Sequence, residues 1–489
     1  MNDIIPGVLL LSDKIYGKHK NKTLYRCIPY NRKKYPDYLI CYQVKKLGFN
    51  KKEIDKYILF KHLEDGDGHP IGVIFNTLGN VNELVNYYEY QLYCKEINHS
   101  IKELNHITNK QIANYRGEDL REKYNLENRE GIYVFSIDPE GSKDFDDAVS
   151  IIKLDDKKYK VSIYISNVQV WLEEYNLWDY LSKRVSTIYL PDKKRVMLPT
   201  RLSDNICSLL ENNARIAFTL DLLIEDNNIN MISFCNSAIK VKKNYIYESS
   251  ELLQNEQYQM LYRVVKGLNQ NEKYISDIKD SHDVVAYLMI LMNYHSSIKL
   301  IENKNGIYRK ITADQNYNNS EISDFLKMWN SSGSSYTLYQ NNIKHDILGL
   351  DSYVHITSPI RRLVDLLNLI QIQNNLGLIE MNGKVKEFYE KNIKNLDYIN
   401  DSMKKIRKIQ NESKMLEYFT DNKEELIKIY KGHIISNNGK DYTVYLPELK
   451  MVNQYVNIAE LPLYSVHDFK LFYFSDNSNY KRKIRLHLI

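Results

Sequence analysis

Cysteine is scarce and scattered in this chain of 489 residues, and no two cysteines form a CxxC pair. A disulfide framework and a structural zinc site both need closely placed cysteines, so the sequence predicts neither of them. We expect all five thiols to stay reduced and to behave as small hydrophobic side chains in an intracellular protein. These cysteines are Cys27, Cys41, Cys94, Cys207 and Cys235.

Long hydrophobic runs are also missing from the sequence. No apolar stretch approaches the ~18 residues that a membrane-spanning helix needs. The N-terminal residues MNDIIP lack the basic and then apolar order of a secretory signal. We therefore expect a cytoplasmic protein that has no membrane partner.

Neither sign of charge dominates, because 67 lysines and arginines oppose 62 aspartates and glutamates and leave a net charge of +5. So small a surplus does not indicate a nucleic-acid partner by itself. Hydrophobic residues make up 43% of the chain, which is enough for a packed core and excludes wholesale disorder. The 41 tyrosines accompany many asparagines and lysines, so tyrosine abundance alone carries no functional meaning.

The order of the elements predicts an α+β protein with a small barrel at each end. Residues 1–90 read as short strands separated by turns, the pattern of an OB or cold-shock barrel. Residues 91–130 are predicted to form a helical connecting segment, and residues 131–425 a central domain that combines strands with long helices. Residues 426–489 read as strands again, with a hairpin signal at Asn437-Asn438-Gly439, and predict a second OB-type barrel.

Five carboxylates and one lysine crowd into residues 138–147, between two apolar strand patterns. Pro139 and Gly141 predict that the chain leaves the core, turns and re-enters it. Carboxylates held together at the edge of a core repel one another unless a cation lies among them, and a hard divalent ion suits oxygen ligands. A solvated acidic loop is the alternative, and the sequence leaves both interpretations open.

A second informative stretch, HITSPIRRLVDLL, covers residues 355–367. Ser358 and Pro359 predict the start of a helix, which places Arg361 and Arg362 in its first turn. The helix dipole disfavours cations there, whereas a bound phosphate would favour them. A salt bridge from Arg362 to Asp365 is the alternative. Together, a metal-binding carboxylate cluster and an arginine are the groups that phosphodiester hydrolysis needs.

Both stretches resemble the ribonuclease II and ribonuclease R family of 3′→5′ exoribonucleases, also called the RNB family. The matching motifs are IDPEGSKDFDDA at residues 137–148 and YVHITSPIRR at residues 353–362. The resemblance covers about residues 131–420, and it implies an RNB catalytic domain over 131–425 and an RNA-binding barrel at the C-terminal end. The sequence departs from the family pattern at its N-terminal end, where about 130 residues are short for the usual two barrels.

The resemblance also implies a role for each matching residue. Four aspartates would bind Mg²⁺, with Mn²⁺ as a substitute, and position the attacking water, and Arg361 would be the catalytic arginine. Tyr189 would meet the RNA near its 3′ end, and Tyr247 would stack on the terminal base. Arg362 and Glu412 would contact the RNA, the latter near product release. The four aspartates are Asp138, Asp144, Asp146 and Asp147.

The expected activity is hydrolysis of single-stranded RNA from its 3′ end to nucleoside 5′-monophosphates. Single-stranded RNA would be the partner, and the protein would act as a monomer. An RNB-fold scaffold or RNA-binding protein without catalysis is the alternative, and a DNA nuclease is a third, weaker one. His355 is expected to be a structural histidine with satisfied hydrogen bonds.

Overall fold

A computed structural model describes residues 3–43, 53–65, 68–115, 119–271, 273–311, 335–340, 343–456, 460–476 and 481–489. Contacts divide the chain into two units. The first unit comprises residues 1–98, 188–195 and 404–489, and the second comprises residues 99–187 and 196–403. The domain limits at residues 90, 130 and 425 stay a prediction.

The first unit begins with a six-stranded sheet in the order β1-β5-β6-β4-β3-β2. Because β1 also pairs with β3, the sheet curls around a core that includes Leu9, Ile58 and Phe60. Helix α1 (Leu84–Cys94) packs against β5, where the rings of Tyr57 and Tyr90 stack with centroids 4.4 Å apart. The strands are β1 (Ile5–Leu9), β2 (Lys18–His19), β3 (Lys22–Pro29), β4 (Tyr38–Cys41), β5 (Lys56–Glu64) and β6 (Ile71–Asn80).

The second unit is built on a closed barrel in the order β12-β13-β7-β8-β9. Helices α2 (Lys102–Asn114) and α3 (Leu120–Lys123) precede the barrel, and α4 (Val168–Glu174) follows its third strand along the chain. The short strands β10 (Ile188–Tyr189) and β11 (Lys194–Arg195) pair with each other and belong to the first unit. The barrel strands are β7 (Glu127–Asp138), β8 (Asp147–Asp155), β9 (Lys158–Ser166), β12 (Ala214–Glu225) and β13 (Asn228–Ile246).

Helices cover this barrel and complete its core. One buried cluster joins Phe135 and Ile163 of the barrel to Tyr287 and Leu291 of helix α7, which also packs against α6 and α8. The elements that follow the barrel are α5 (Ser250–Leu253), α6 (Glu256–Asn271), α7 (Ser281–Glu302), β14 (Ile307–Lys310), β15 (Ser335–Leu338), α8 (Leu363–Asn375), α9 (Gly383–Lys394) and α10 (Leu396–Asp421).

Helix α7 corrects the expectation that no segment has the length and hydropathy of a membrane span. Its 22 residues include an 18-residue window of mean hydropathy 1.3, which meets that test by length and composition. However, 56% of the window is buried inside the protein. The longest continuous apolar run in α7, Val284–Met292, has nine residues, and the helix packs against the barrel and its neighbouring helices.

The C-terminal part of the first unit is a five-stranded sheet in the order β18-β17-β16-β19-β20. Its first hairpin pairs Asn438 with Asp441 around Gly439, whose φ of +77° suits a tight turn, as the sequence predicted. The last two strands also pair antiparallel. The strands are β16 (Ile429–Asn438), β17 (Asp441–Leu446), β18 (Met451–Val456), β19 (Val466–Asp476) and β20 (Lys481–Leu488).

Candidate active site

The acidic segment forms the turn that the sequence predicted, with Asp138 at the end of β7 and Asp147 at the start of β8. Gly141 has a φ of +77°, and the backbone N–H of Ser142 donates to the carbonyl of Pro139. The hydroxyl of Ser208 stabilises residues 143–145 of the turn, because it accepts from the N–H of Phe145 and donates to the carbonyl of Lys143.

The aspartates lie close to one another in a buried environment, and burial disfavours their charged forms. It raises the pKa of Asp138 to about 6 and that of Asp146 to about 7. It also raises the pKa of Asp147 well above its usual value, and the charges of Asp138 and Asp146 add to this rise. Asp144 adds to the rise at Asp138 and at Asp146. Because Asp146 is only 2% exposed, a fully solvated acidic loop does not describe this segment.

Arg361 contacts this cluster directly. Its Nε donates to Oδ2 of Asp146 at 3.0 Å, and the backbone N–H of the preceding residue, Ile360, donates to Oδ1 at 2.9 Å. The Arg361 side chain nevertheless stays 45% exposed. The two motifs that lie over 200 residues apart in the sequence therefore meet at one buried carboxylate.

Arg362 forms the salt bridge to Asp365 that the sequence analysis gave as the alternative to phosphate binding. Its Nη2 donates to Oδ1 of Asp365 at 2.8 Å, which is the predicted salt bridge. Asp365 is fully buried, and its Oδ1 also accepts the backbone N–H of Ser358 at 2.8 Å. The two adjacent arginines thus have different acidic partners. The sequence predicted the salt bridge of Asp365 to Arg362, but not that Asp365 also accepts the N–H of Ser358.

The predicted start of the following helix is wrong. Helix α8 begins at Leu363, so Ser358 is not its N-cap and neither arginine lies in its first turn. Residues 358–362 form a turn instead, in which the N–H groups of Arg361 and Arg362 donate to the carbonyl of Ser358. The reason is that Asp365 binds the N–H group of Ser358 and the distant Asp146 binds that of Ile360, and together they hold the backbone in this turn.

Buried side chains also hold the strand-like segment before this turn. Asn293 of α7 accepts the N–H of Ile356 at 2.9 Å, and Asn368 of α8 donates to the carbonyl of His355 at 3.0 Å. The imidazole of His355 lies 2.6 Å from Nη1 of Arg309 and 2.8 Å from the hydroxyl of Tyr336. A guanidinium cannot accept, so Nε2 of His355 accepts and Nδ1 carries the proton. His355 is therefore a satisfied structural histidine, as expected.

The donor set of the aspartates fits a hard divalent cation. Oδ2 of Asp138 is buried without a hydrogen-bond partner, and the pKa values of Asp138 and Asp147 are raised by burial and by neighbouring carboxylates, which a bound cation would offset. Magnesium needs only one or two protein carboxylates when waters and substrate phosphates complete its coordination.

A different acidic group brings its ligand atoms closer together but does not fit a metal. Among the described residues, Glu127, Asp221 and Cys235 are the three potential ligands whose atoms lie within 4.8 Å of one another. The guanidinium of Arg129 fills this space, with its Nη2 at 2.5 Å from Glu127, 2.7 Å from Asp221 and 3.2 Å from Cys235. This group is an ion-pair network.

Tyr247 lies next to the aspartates, at the end of β13. Its N–H donates to the carbonyl of Asp138 at 3.2 Å, and burial raises the pKa of its hydroxyl, with added contributions from Asp147 and Asp138. Its ring already stacks on His282, with centroids 3.7 Å apart and planes 10° apart. No motif in the sequence pointed to His282, which is a single histidine at the start of an apolar helical pattern.

Tyr189 and Glu412 belong to the first unit, whereas the other predicted site residues belong to the second. Tyr189 is 42% exposed, and its N–H donates to Oε1 of Gln410 at 2.9 Å. Glu412 is exposed on α10, two residues beyond Gln410. The roles of both residues stay predictions.

Comparisons with known proteins place these observations in a family. A model of the RNB domain matches residues 119–261 and 249–377. Ribonuclease R of Thermotoga maritima is 33% identical over 169 residues, which cover 34% of this chain and 23% of the relative. Ribonuclease R of Ureaplasma parvum is 32% identical over 162 residues, covering 33% of this chain and 22% of the relative. The chain thus matches about a quarter of the length of these curated relatives.

Solved structures extend the likeness to nearly the whole fold. Mycoplasma genitalium RNase R in complex with ribose methylated single-stranded RNA has a TM-score of 0.73 at 16% identity, covering 99% of this chain and 90% of that one. The yeast pseudonuclease Ssd1 has a TM-score of 0.62 at 13% identity, covering 98% and 67%. The likeness confirms the α+β fold in which OB-type barrels flank a central RNB domain. Because the family model matches more than half of the sequence, the chain belongs to the RNB domain family.

Proposed function

We propose that this protein is a divalent-metal-dependent 3′→5′ exoribonuclease that hydrolyses single-stranded RNA to nucleoside 5′-monophosphates. The observation that carries the proposal is the contact between Asp146 and Arg361, which joins the aspartate cluster to an exposed arginine. The relatives named ribonuclease R and the RNase R structure in complex with single-stranded RNA support it. The substrate would be RNA because the family relatives act on RNA.

The aspartates would hold the metal, and Arg361 would stabilise the transition state. Bound Mg²⁺, or Mn²⁺ in its place, would polarise the scissile phosphate and lower the pKa of the attacking water. Asp138 offers a buried oxygen without a hydrogen-bond partner, Asp147 lies beside it in the same cluster, and Asp144 adds negative charge near Asp138. Asp146 orients the guanidinium of Arg361, which would donate to the phosphoryl oxygens as negative charge builds on them.

The remaining predicted contacts concern the RNA strand. Tyr189 and Tyr247 would meet bases, since aromatic rings stack on any base of an unpaired strand. Arg362 is held by Asp365, so its contribution would be to support the turn that carries Arg361 as well as to attract the RNA backbone. Glu412 would act near product release, and the protein would work as a cytoplasmic monomer with the domain limits given above.

A time course on end-labelled strands tests this proposal. Purified protein is incubated with single-stranded RNA and with DNA of the same sequence, with and without Mg²⁺, and the products are separated by length and by terminal phosphate. We expect RNA to shorten from its 3′ end with release of nucleoside 5′-monophosphates, only when the metal is present. Internal cleavage, 3′-monophosphate products or equal cleavage of DNA would contradict the proposal.

A catalytically silent RNA-binding protein is the second candidate. The likeness to Ssd1, a pseudonuclease, favours it at the level of the fold. The presence of the four aspartates together with Arg361 favours catalysis instead. The same time course decides between them, because a silent protein would bind the labelled RNA and leave its length unchanged in Mg²⁺ and in Mn²⁺.

A further inference from the structure

The rings of Tyr247 and His282 form a stacked pair beside the candidate active site. Their centroids are 3.7 Å apart and their planes differ by 10°. Tyr247 is half-buried and packs against the hydrophobic cluster of the second unit, whereas His282 is exposed. The imidazole therefore covers one face of the tyrosine, and the accessible ring of the pair is that of His282.

The pair is attached to the aspartate cluster through the backbone. The N–H of Tyr247 donates to the carbonyl of Asp138, so the end of β13 runs beside the end of β7. The charges of Asp138 and Asp147 also act on the hydroxyl of Tyr247, so the ring pair lies beside these carboxylates. The exposed planar surface there belongs to His282.

Hydrogen bonds between Glu248 and Ser281, the sequence neighbours of Tyr247 and His282, hold the two stacked rings in place. Glu248 has a φ of +55°, a left-handed conformation that a residue other than glycine adopts only where its surroundings compensate. Its N–H donates to Oγ of Ser281, and its Oε1 accepts from the N–H of Ser281 at 2.7 Å and from the hydroxyl at 2.5 Å. This exchange joins the end of β13 to the first turn of α7, where His282 follows Ser281.

We propose that His282 stacks on the base of the 3′-terminal nucleotide, with Tyr247 as the ring that supports it from behind. This inference rests on the proposed function, because it assumes that a nucleic-acid strand reaches the aspartates. Stacking tolerates every base, since each base has an aromatic face. The base-stacking role that the family resemblance gave to Tyr247 would thus belong to a histidine that the sequence motifs do not include.

Fluorescence of 2-aminopurine placed at the 3′ end of a single-stranded RNA tests this assignment, since its emission falls when it stacks. All proteins carry Asp147→Asn so that the RNA is not consumed. We expect binding by the parent to quench the probe. His282→Ala should bind the RNA about tenfold more weakly, the size of one lost base stack, and quench less. His282→Phe should restore both, whereas His282→Leu should restore neither, because leucine fills space without a ring.

His106→Ala is the matched control, because His106 is also exposed, on α2 of the same unit, and should change neither readout. Thermal unfolding of each variant shows that it is folded. Unchanged quenching in His282→Ala, or full restoration by leucine, overturns this inference and leaves the proposed exoribonuclease intact. If the parent does not bind RNA but the wild-type protein shortens it in the time course, this inference fails and the proposed function stands. If the wild-type protein also neither binds nor shortens RNA, both proposals fail.

Discussion

Asp146 differs from Asp138 and Asp147 because both of its oxygens already accept hydrogen bonds. One accepts the guanidinium of Arg361, and the other accepts the backbone N–H of Ile360. Asp138 instead has a buried oxygen without a partner. We infer that Asp146 acts mainly by holding the arginine, whereas Asp138 and Asp147 are the better metal ligands.

Asp147→Asn tests the metal role. Hydrolysis should fall at least about a hundredfold, the size of one lost electrostatic contact in a transition state. In metal-free buffer the variant should melt higher than wild type, because the substitution removes a charge that burial disfavours. Single-turnover rates and thermal unfolding in EDTA measure the two effects. A variant that still releases nucleotides at the normal rate would refute the assigned role.

The raised pKa of Asp138 also predicts how stability depends on pH. The folded protein holds this proton up to about pH 6, whereas an unfolded chain releases it near pH 4. Stability in EDTA should therefore fall as pH rises from about 4 to 6, and wild type should lose more than Asp138→Asn. Mg²⁺ should reduce the difference, because a bound cation favours the ionised carboxylate.

The comparison with the variant is necessary because two buried histidines titrate in the same pH range and change the stability in the opposite direction. Burial lowers the pKa of His295 and of His345 to about 4, so these residues make the protein more stable as pH rises. The histidines are unchanged in Asp138→Asn and cancel in the difference, whereas Asp147, whose pKa the charge of Asp138 raises, adds to the difference with the same sign. Equal pH dependence of the two proteins would mean that Asp138 is not perturbed by burial.

At the scale of elements, one buried carboxylate shapes the turn that carries the arginines. Asp365→Ala would leave the N–H of Ser358 and the guanidinium of Arg362 without their acceptor. We expect a loss of about 3–5 kcal/mol in the free energy of unfolding, as for other broken buried ion pairs. Asp365→Asn should lose less, because its amide oxygen can still accept from one of these donors.

Denaturant unfolding measures these losses, and Glu302→Gln is their control. Glu302 also pairs with a lysine three residues away, Lys299, but the two side chains are 51% and 36% exposed. Removing that pair should cost less than about 1 kcal/mol. If Asp365→Ala were as mild as the control, the turn would be held by something other than this carboxylate.

The turn between β7 and β8 gives a second prediction at this scale. Gly141→Ala meets no neighbouring atom but must keep a φ of +77°, so it should cost about 1–2 kcal/mol and weaken Mg²⁺ binding by displacing the aspartates. Gly131→Ala in β7 also meets open space and has no left-handed backbone, so it should not destabilise the protein. Denaturant unfolding and metal titration distinguish them, and equal losses in both variants would refute the reasoning.

These two turns show how far the sequence predicts the site. Pro139 and Gly141 act locally, so the strand–turn–strand segment and its aspartates could be predicted from residues that are adjacent in the chain. Ser358 and Pro359 also act locally, but Asp146, which lies 214 residues from Ile360, overrides them. A pattern of neighbouring residues cannot predict a contact between residues so far apart in the sequence. The stacking of Tyr247 on His282 could not be predicted for the same reason.

At the scale of the whole molecule, the first unit joins the two ends of the chain. The hydroxyl of Tyr87 on α1 donates to the carbonyl of Arg482 on β20 at 3.0 Å, and the Arg482 guanidinium donates to the carbonyl of Val81. The partners of these two hydrogen bonds lie 395 and 401 residues apart in the sequence. The N-terminal and C-terminal sheets should therefore stabilise each other.

Arg482→Ala tests this coupling. The lost hydrogen bond from a charged group should cost about 1.5–3 kcal/mol, and hydrogen exchange of the backbone amides in α1 should become at least about tenfold faster. Arg485→Ala is the control, because it removes an equal charge from the opposite face of the same strand, where the guanidinium lies over the ring of Phe474. Faster exchange of α1 in both variants would indicate general loosening of β20, whereas no change in Arg482→Ala would mean that the two sheets are stable independently.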